Sequence, residues 1–465
     1  MIKKIMVYVP SVAIPVLVNV LLVFLYARCL MPEEYGMLNI VLNTINIIYS
    51  LALSFVQSAS FRFYSDKSLY NSREEYISSF VFCNIIIGFL ITSITVCISI
   101  CSGQIVYFLV AVSVGINGLY QFYLNLYRLE GRNFWYVCSR IVAAFLILIS
   151  FVVVVKLIPS ITYEYVVLTT YGSYAVFAFI GTYQQRKYLS LKAFSFKLIK
   201  KAFVYGMPMM GVTLLGNIIS SCDQYALKFY MGDFSVGLYS LGHKLSDMSI
   251  ANITMLLLLV ATPMVMREYD QNSKVQGVAY LSKILFVNIW VVDLVAIGII
   301  VFANEIILYL FPEYTGAEQI ISLIAIAAVL HSVSLITCKP FELTKNTVGL
   351  MVLLLITAII NVVYNLIFIP IYGMNAASHS SIIAYLIYIF LLYVTDSSPN
   401  KVCLSLKEWS RILIPALITF IFTYVLKQLM PINSLGALIL QSCMCVCVYL
   451  VSSLVCGVLK TVMSL

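Results

Sequence analysis

The chain has 465 residues, of which 62% are hydrophobic and only 10% are charged, and its formal net charge is +9. The mean hydropathy of +1.02 excludes a soluble globular domain and indicates a protein that crosses a membrane many times. The positive charge is spread over short segments between apolar runs, where basic side chains face anionic lipid. It therefore does not indicate binding to nucleic acid.

Runs of about 20 apolar residues predict an all-α polytopic membrane protein with fourteen transmembrane helices. In chain order the predicted spans are 5–27, 36–60, 77–100, 105–127, 135–157, 162–183, 203–223, 236–262, 278–303, 317–338, 347–370, 374–395, 410–430 and 434–457. The first run follows Lys3 and Lys4 but is too long for a signal peptide and lacks a small-residue cleavage site. We therefore assign it to the mature protein.

Lysine and arginine residues predict the orientation of the chain. When Lys3 and Lys4 are placed in the cytoplasm, 23 of the 28 basic residues fall in cytoplasmic loops or helix ends. The five exceptions are Arg28, Lys156, Lys228, Lys244 and Lys427. This asymmetry follows the positive-inside rule, and the even number of spans returns Lys460 and the C-terminus to the cytoplasm.

A basic loop at 184–202 separates six predicted spans from eight. It contains six lysines and arginines and no acidic residue, and its interspersed apolar residues are typical of a segment on the membrane surface. Short motifs before this loop recur after it, since Pro10 and Pro208 each open a span and Ile158-Pro159 resembles Ile369-Pro370. Six spans separate the copies, so the two halves have one orientation and form parallel repeats.

These repeats predict two six-helix lobes around a central cavity. The expected parts are an N-terminal lobe at 1–183, the basic cytoplasmic loop at 184–202, a C-terminal lobe at 203–395 and two additional helices at 396–465.

Three predicted spans carry stripes of polar side chains at helical spacing. The second span has Asn39, Asn43, Asn46, Ser50, Ser54 and Gln57; the fourth has Asn117, Gln121, Asn125 and Arg128; the seventh has Thr213, Asn217, Ser220 and Gln224. Amides are costly in hydrocarbon, so each stripe must face protein partners or internal water. One stripe alone is compatible with helix packing, but three together favour a hydrated, substrate-binding cavity.

Ionisable side chains also lie within predicted spans. Lys244 lies about 12 Å deep in the eighth span at the rise of an α-helix, where an ammonium needs a carboxylate or an anionic ligand. It therefore either binds a ligand or forms an i,i+3 ion pair with Asp247. Asp247 and Asp293 are candidate sites for a coupling cation, although Asp293 has an alternative role as a hydrogen-bonding partner of a neighbouring helix. We expect His331 to be a hydrogen-bonded core residue.

The sequence contains no constellation typical of an enzyme. It has no phosphate-binding glycine-rich loop, no H-E-x-x-H motif and no extramembrane region large enough for a nucleotide-binding domain. Its cysteines form no C-x-x-C pair, and Cys443, Cys445 and Cys447 are spaced so that they point around a helix. We therefore expect no enzymatic activity, no cofactor and no metal.

The first turn reads Ala27-Arg28-Cys29-Leu30-Met31-Pro32-Glu33-Glu34-Tyr35-Gly36. It is similar to the A-R-x-L-x-P-E-E-Y-G signature of bacterial polysaccharide flippases, the Wzx-type O-antigen transporters of the multidrug/oligosaccharidyl-lipid/polysaccharide exporter superfamily. Further resemblance lies in Tyr205-Gly206-Met207-Pro208, Val236-Gly237-Leu238-Tyr239-Ser240 and Asn365-Leu366-Ile367-Phe368-Ile369-Pro370-Ile371-Tyr372-Gly373. It covers essentially the whole chain and departs at Ala376, where the family often has glycine.

The resemblance implies a flippase that moves an undecaprenyl-diphosphate-linked oligosaccharide across the bacterial inner membrane by alternating access. The substrate would be an O-antigen or capsule repeat unit, and a polysaccharide polymerase and a chain-length regulator are expected partners besides membrane lipids. The stripes would bind the sugar, and Arg28, Arg62 and Lys244 would bind the diphosphate. Arg28 and Arg62 lie at helix ends, so their alternative role is that of interfacial anchors.

Two other functions are compatible with many spans. A cation-coupled multidrug antiporter of the same superfamily typically has twelve spans. A polysaccharide polymerase would carry a large external loop with catalytic arginines, whereas the external loops here are short. A purely structural scaffold would not need three polar stripes.

Overall fold

The computed structural model describes residues 2–269, 273–396 and 401–458, and within these ranges it contains helices and turns but no β-strand. The helices are α1 (Ile2–Cys29), α2 (Pro32–Ala52), α3 (Ser54–Ser65), α4 (Arg73–Ser102), α5 (Val106–Leu129), α6 (Asn133–Leu157), α7 (Tyr163–Gln185), α8 (Phe196–Arg267), α9 (Lys274–Leu310), α10 (Glu318–Thr337), α11 (Lys339–Leu343), α12 (Thr347–Tyr372), α13 (Met374–Thr395), α14 (Leu406–Leu429) and α15 (Leu435–Val455). Lys460 lies outside the described residues. The predicted all-α fold class is confirmed.

The number of spans follows from the length of α8. Twelve described helices are long and apolar enough to cross a membrane, and α8 is one of them with 72 residues. The apolar core of a bilayer is about 30 Å thick, far shorter than such a helix. The backbone of α8 breaks at Gly232, with φ 81° and ψ 179°, so α8 contains the seventh and eighth predicted spans. With the shorter apolar segment Ala13–Cys29 of α1, the described part of the chain accounts for all fourteen predicted spans.

The second predicted span is bent, which its hydropathy did not indicate. It consists of α2 and α3, separated at Leu53 with φ −128° and ψ −12°. The hydroxyl of Ser50 donates to the carbonyl of Asn46 at 2.7 Å, and that of Ser54 donates to the carbonyl of Ser50 at 2.5 Å. Hydroxyls that bond the carbonyl four residues earlier bend helices. Two members of the polar stripe therefore also serve the backbone at the bend.

An acidic residue at the start of α2 caps another helix. The carboxylate of Glu34 accepts a hydrogen bond from the backbone N–H of Tyr163 at 2.9 Å. Tyr163 is the first residue of α7, whose flanking residue Thr162 provides no side-chain cap. A carboxylate at this position satisfies an otherwise unpaired N–H and complements the helix dipole.

Gly206 of α8 lies directly against α3. A Cβ atom at this position would be 2.8 Å from the Cα and the carbonyl oxygen of Phe55. We expect Gly206→Ala to lower the free energy of unfolding by about 1–3 kcal/mol, because the backbone it meets must shift. Gly216→Ala on the same helix is the matched control, since its added Cβ would meet no atom within 4 Å. Thermal unfolding of the purified variants checks this, and equal melting temperatures would contradict the close contact.

The helices form two compact units, Met1–Ser221 and Cys222–Leu465, called here the N-terminal and C-terminal units. In the N-terminal unit α5 packs against α4 and α7, and α1 packs against α6. In the C-terminal unit α10 packs against α9 and α13, and α14 packs against α15 and α9. The boundary falls within α8, so the sequence-based division at 183, 202 and 395 stays a prediction.

Candidate functional site

The polar stripe of α2 includes both enclosed and accessible side chains. Asn39 is only 3% exposed and donates its amide to the carbonyl of Tyr35 at 2.8 Å. Asn43 is half-buried, whereas Asn46 is exposed, although the adjacent Ile45 is fully buried. An exposed amide in the middle of a spanning helix is stable only where water reaches it. Asn39 therefore has a packing role within the stripe, whereas Asn46 is accessible.

Hydrogen bonds join this stripe to two other helices of the N-terminal unit. Asn217 of α8 donates its amide to the hydroxyl of Ser50 at 2.6 Å. Gln57 accepts a hydrogen bond from the amide of Asn125 of α5 at 2.5 Å and donates to the carbonyl of Gly118 at 3.3 Å. The three polar stripes predicted from spacing thus meet in the N-terminal unit at these bonds.

The stripe of α5 continues into a cavity of about 220 Å³ within the N-terminal unit. Gln121, which donates to the buried Asn117 at 3.4 Å, and Asn125 line this cavity. The other lining residues are Pro15, Asn19, Tyr120, Leu124, Tyr136, Arg140, Ala143, Ala144, Ile147 and Tyr174. Arg140 is the cationic member of this lining. It could not be recognised from the sequence, because it lies toward the start of the predicted span 135–157 and counts there as a basic residue at a cytoplasmic helix end.

Asp247 of the C-terminal unit pairs with a histidine from another helix. One carboxylate oxygen of Asp247 lies 3.0 Å from Nδ1 of His331 on α10. The ring of His331 stacks on Tyr385 of α13, with centroids 4.8 Å apart and an interplanar angle of 17°. The expectation that His331 is hydrogen-bonded is confirmed. Its partner is a candidate coupling residue, so His331 belongs to the candidate site.

The i,i+3 ion pair between Lys244 and Asp247 is not formed. No described carboxylate oxygen lies within 4.0 Å of the Lys244 ammonium, although Asp247 attracts it electrostatically. The physical reason is competition, because the Asp247 carboxylate is directed to His331. The structure therefore does not contain the ion pair as one of the two roles of Lys244. The other role, binding of an anionic ligand, stays a prediction.

Asp223 is a buried carboxylate that the sequence analysis missed. It is fully buried and accepts hydrogen bonds from the hydroxyls of Ser381, at 3.1 Å, and Tyr239. Its other oxygen has no hydrogen-bonding partner among the described residues. His243 interacts electrostatically with both Asp223 and Asp247. The signal was present in the sequence, since an aspartate immediately before Gln224 in a predicted span is costly unless it has a function.

Two asparagines of α12 lie beside the residue that precedes Asp223. The thiol of Cys222 donates to the side-chain oxygen of Asn361 at 2.5 Å, and the amide of Asn365 donates to the same sulfur at 3.3 Å. Both asparagines are almost fully buried, and each has one further polar atom without a partner among the described residues. The C-terminal unit therefore encloses a polar cluster next to its ionisable groups.

Two predicted site residues of the C-terminal unit lie in different surroundings. Gln224 is 3% exposed and accepts a hydrogen bond from the hydroxyl of Ser240 at 3.2 Å, a contact that favours a packing role. Asp293 of α9 interacts electrostatically with Tyr449 of α15. The described hydrogen-bonding partner of Asp247 is His331 of α10, so no described contact joins the two candidate coupling residues.

The predicted arginines of the N-terminal unit lie at helix ends. The guanidinium of Arg28, in the last turn of α1, lies 5.1 Å from the centroid of the Phe24 ring. Arg62, in the last turn of α3, is exposed and attracts Asp66. These positions are compatible with both interfacial anchoring and head-group contact.

Comparisons with known proteins identify a matching sequence family and solved structures with a similar fold. The sequence profile described as polysaccharide biosynthesis protein matches residues 1–269. The lipid II flippase MurJ in its inward closed conformation has a TM-score of 0.76 at 15% identity, covering 98% of this chain and 99% of that chain. No curated protein matches the sequence.

Transporters of the MOP superfamily are also similar. An inward-facing multidrug resistance MATE transporter has a TM-score of 0.62 at 15% identity, covering 84% of this chain and 94% of that chain. A MOP superfamily transporter from Pyrococcus furiosus has a TM-score of 0.57 at 14% identity, covering 85% and 95%. These identities show a common fold.

Proposed function

The chain belongs to the polysaccharide biosynthesis protein family, and we propose that it is a flippase for an undecaprenyl-diphosphate-linked oligosaccharide. The cargo would be an O-antigen or capsule repeat unit, carried across the bacterial inner membrane by alternating access. The chain also has the fold of a lipid flippase, which supports this proposal.

The polar track of the N-terminal unit is the observation that carries the proposal. It runs from the exposed Asn46 through Asn217 and Gln57 to the cavity lined by Gln121 and Asn125. Amides offer both donors and acceptors, which matches the hydroxyl groups of a sugar. An apolar drug would gain little from such a surface, because its binding leaves polar groups unpaired.

Three cations are proposed to contact the diphosphate of the cargo. Lys244 is the strongest of them, because its ammonium forms no ion pair with a described carboxylate. Arg28 and Arg62 contribute through guanidinium groups at the ends of spans, where a lipid head group passes.

Transport is proposed to be coupled to a cation through carboxylates of the C-terminal unit. Asp247 is the main candidate because its carboxylate lies within a spanning helix, 3.0 Å from Nδ1 of His331 on another helix. Asp293 stays a second candidate. Asp223 joins them because one of its oxygens lacks a partner among the described residues.

These same carboxylates favour a second candidate function, a cation-coupled multidrug antiporter. The similarity to a multidrug resistance MATE transporter agrees with it. The two functions differ in what the cell loses with the gene: a flippase mutant accumulates lipid-linked oligosaccharide and loses surface polysaccharide, whereas an antiporter mutant becomes sensitive to drugs.

Deletion and complementation in the native host test the proposed function. We expect the deletion strain to lose surface polysaccharide and to retain lipid-linked repeat units, and the plasmid-borne gene to restore both. Extracted lipids are analysed by mass spectrometry and the surface polymer by gel staining. Normal polysaccharide together with raised drug sensitivity would overturn the flippase in favour of the antiporter.

The proposal includes an orientation in the inner membrane with both termini in the cytoplasm. It rests on the 23 of 28 basic residues on one side. We expect a periplasm-active phosphatase fused after residue 190 to be inactive and the same reporter fused after residue 310 to be active. Equal activity of the two fusions would refute the topology.

A polysaccharide polymerase and a chain-length regulator are proposed as partners on the same pathway.

Water access along the stripe gives a further prediction. A cysteine at position 46 should react with a small polar thiol reagent in membranes, because Asn46 is exposed and amides in a span require water. Cysteines at 43 and 217 should react more slowly, since both positions are half-buried. A cysteine at position 45 is the matched control and should not react, because Ile45 is fully buried. A cysteine at position 42, a second apolar neighbour of the stripe, should not react either. Equal labelling at 45 and 46 would favour a packing role for the stripe.

A further inference from the structure

Arg140 is a cation inside the membrane-spanning part of α6. It lies seven residues after Asn133, the first residue of that helix, and therefore about 10 Å along it at the usual rise. Its side chain is partly buried and lines the 220 Å³ cavity of the N-terminal unit. A charge in this position is costly unless a partner neutralises it.

No described carboxylate neutralises Arg140. Glu130, the acidic residue between α5 and α6, pairs with Arg73 at 2.5 Å and with Arg132 at 2.9 Å. Arg140 donates to the hydroxyl of Tyr136 at 3.2 Å, which satisfies one of its five N–H donors. Among the described residues, then, Arg140 has a neutral hydroxyl as its partner and retains donors for an anion.

The surroundings of Arg140 in the cavity are polar but uncharged. Tyr120 and Tyr174 line the same cavity as Arg140, and their rings stack with centroids 4.4 Å apart. Gln121 and Asn125 complete a wall of amides. A cation among amides and phenols matches a ligand that carries one oxyanion next to several hydroxyl groups.

The size of the cavity limits the ligand. Sites for drug-sized molecules occupy about 300–1,000 Å³, and this cavity has about 220 Å³. It has room for one sugar residue or for a diphosphate, but not for an oligosaccharide.

We propose that the cavity of α1, α5, α6 and α7 binds an oxyanion of the carried glycolipid, and that Arg140 is the residue that binds it. This inference rests on the proposed flippase function and adds a class of substrate to it. Two parts of the cargo have the required chemistry, namely the carboxylate of an acidic sugar and the phosphates of the lipid linkage. Guanidinium binds both in a bidentate manner.

Binding to the purified full-length protein tests the site without requiring transport. The probes are glucuronate, its neutral counterpart glucose, and inorganic pyrophosphate, each followed by calorimetry and by the melting temperature. We expect at least one oxyanion to bind and to raise the melting temperature, and glucose to have no effect. A preference for glucuronate identifies an acidic sugar as the source, and a preference for pyrophosphate identifies the lipid linkage.

Variants connect the binding to Arg140. We expect Arg140→Gln to weaken binding of the preferred oxyanion about tenfold or more, as for loss of a charge-assisted bidentate contact. Arg140→Lys keeps the charge and should retain part of the affinity, as should Tyr136→Phe, which keeps the arginine. Lys156→Gln is the matched control, because it removes one charge from an exposed position in the last turn of the same helix.

Two results would overturn the site. One is binding of neither oxyanion to the unmodified protein, and the other is equal affinity of the unmodified protein and a folded Arg140 variant. If Arg140→Gln does not fold, Arg140→Lys decides by the same criterion, because it should bind the oxyanion more weakly than the unmodified protein. Surface polysaccharide is measured in parallel, so that intact export without oxyanion binding refutes this site alone, whereas absence of export by the unmodified gene refutes the flippase.

Discussion

Export of surface polysaccharide is expected to stop when Lys244 is replaced by alanine, while the protein remains inserted and abundant. The ammonium forms no ion pair with a described carboxylate, so its removal leaves no stranded carboxylate partner. What is lost is the cation proposed to meet the diphosphate. Deleting one partner of a buried charge pair usually costs about 2–5 kcal/mol of binding free energy. A loss of this size in the binding of the diphosphate is what we expect to stop export. The measurements are surface polymer and membrane protein level in a deletion strain.

Three further variants separate a ligand role from a structural one. Lys244→Arg should keep part of the export, because a cation remains at the same depth. Asp247→Ala should lower protein abundance, because it removes the partner of His331 at 3.0 Å. The double variant Lys244→Ala with Asp247→Ala should still fail to export. Full export by the double variant would show that Lys244 only balances the charge of Asp247.

Asp223→Ala is expected to lower the amount of folded protein several-fold. The substitution removes the carboxylate that accepts from the hydroxyls of Tyr239 and Ser381 in a fully buried position, and leaves the Tyr239 hydroxyl only a long contact of 3.4 Å to the carbonyl of Ala377. Each unsatisfied buried group costs about 1–3 kcal/mol, so the total is a large fraction of the about 5–15 kcal/mol that stabilises a typical domain. Thermal unfolding in detergent and membrane abundance report the loss.

Asp223→Asn is the matched variant for this prediction. It keeps the shape and one acceptor oxygen, so abundance should be close to that of the unmodified protein. Export in this variant then reports on the charge itself, and we expect it to fall if Asp223 takes part in cation coupling. Normal abundance of Asp223→Ala would contradict the structural prediction, since it would mean that neither hydroxyl depends on the carboxylate.

The positions of the spanning helices could be predicted from the sequence, whereas the hydrogen-bonding and ion-pair partners of their side chains could not. Fourteen apolar runs predicted the spans because burial in lipid leaves a signal in every residue of a helix. The bend at Leu53 escaped because it depends on Ser50 and Ser54 bonding backbone carbonyls, whereas a hydropathy window registers serines only as mildly polar.

The partners of the charged side chains could not be predicted from the sequence either. Spacing predicted Asp247 as the neighbour of Lys244 because i,i+3 positions are close on a helix. The structure gives Asp247 a partner on α10 instead, His331, and a pairing between helices has no local pattern. Arg140 and Asp223 were missed because both lie toward the ends of predicted spans, 135–157 and 203–223, where a charged side chain is ordinary.

The break at Gly232 has a mechanical consequence for the two spans within α8. Between them the helical backbone of α8 is interrupted at this one residue, with φ 81°, in the region that glycine adopts without a Cβ penalty. A change of about 10° at that residue would displace the far end of a 20-residue helix, about 30 Å long, by about 5 Å. That displacement approaches one helical turn and requires rotation about only two backbone bonds. A glycine at this position therefore leaves the direction of the following helical segment dependent on the torsion angles of a single residue.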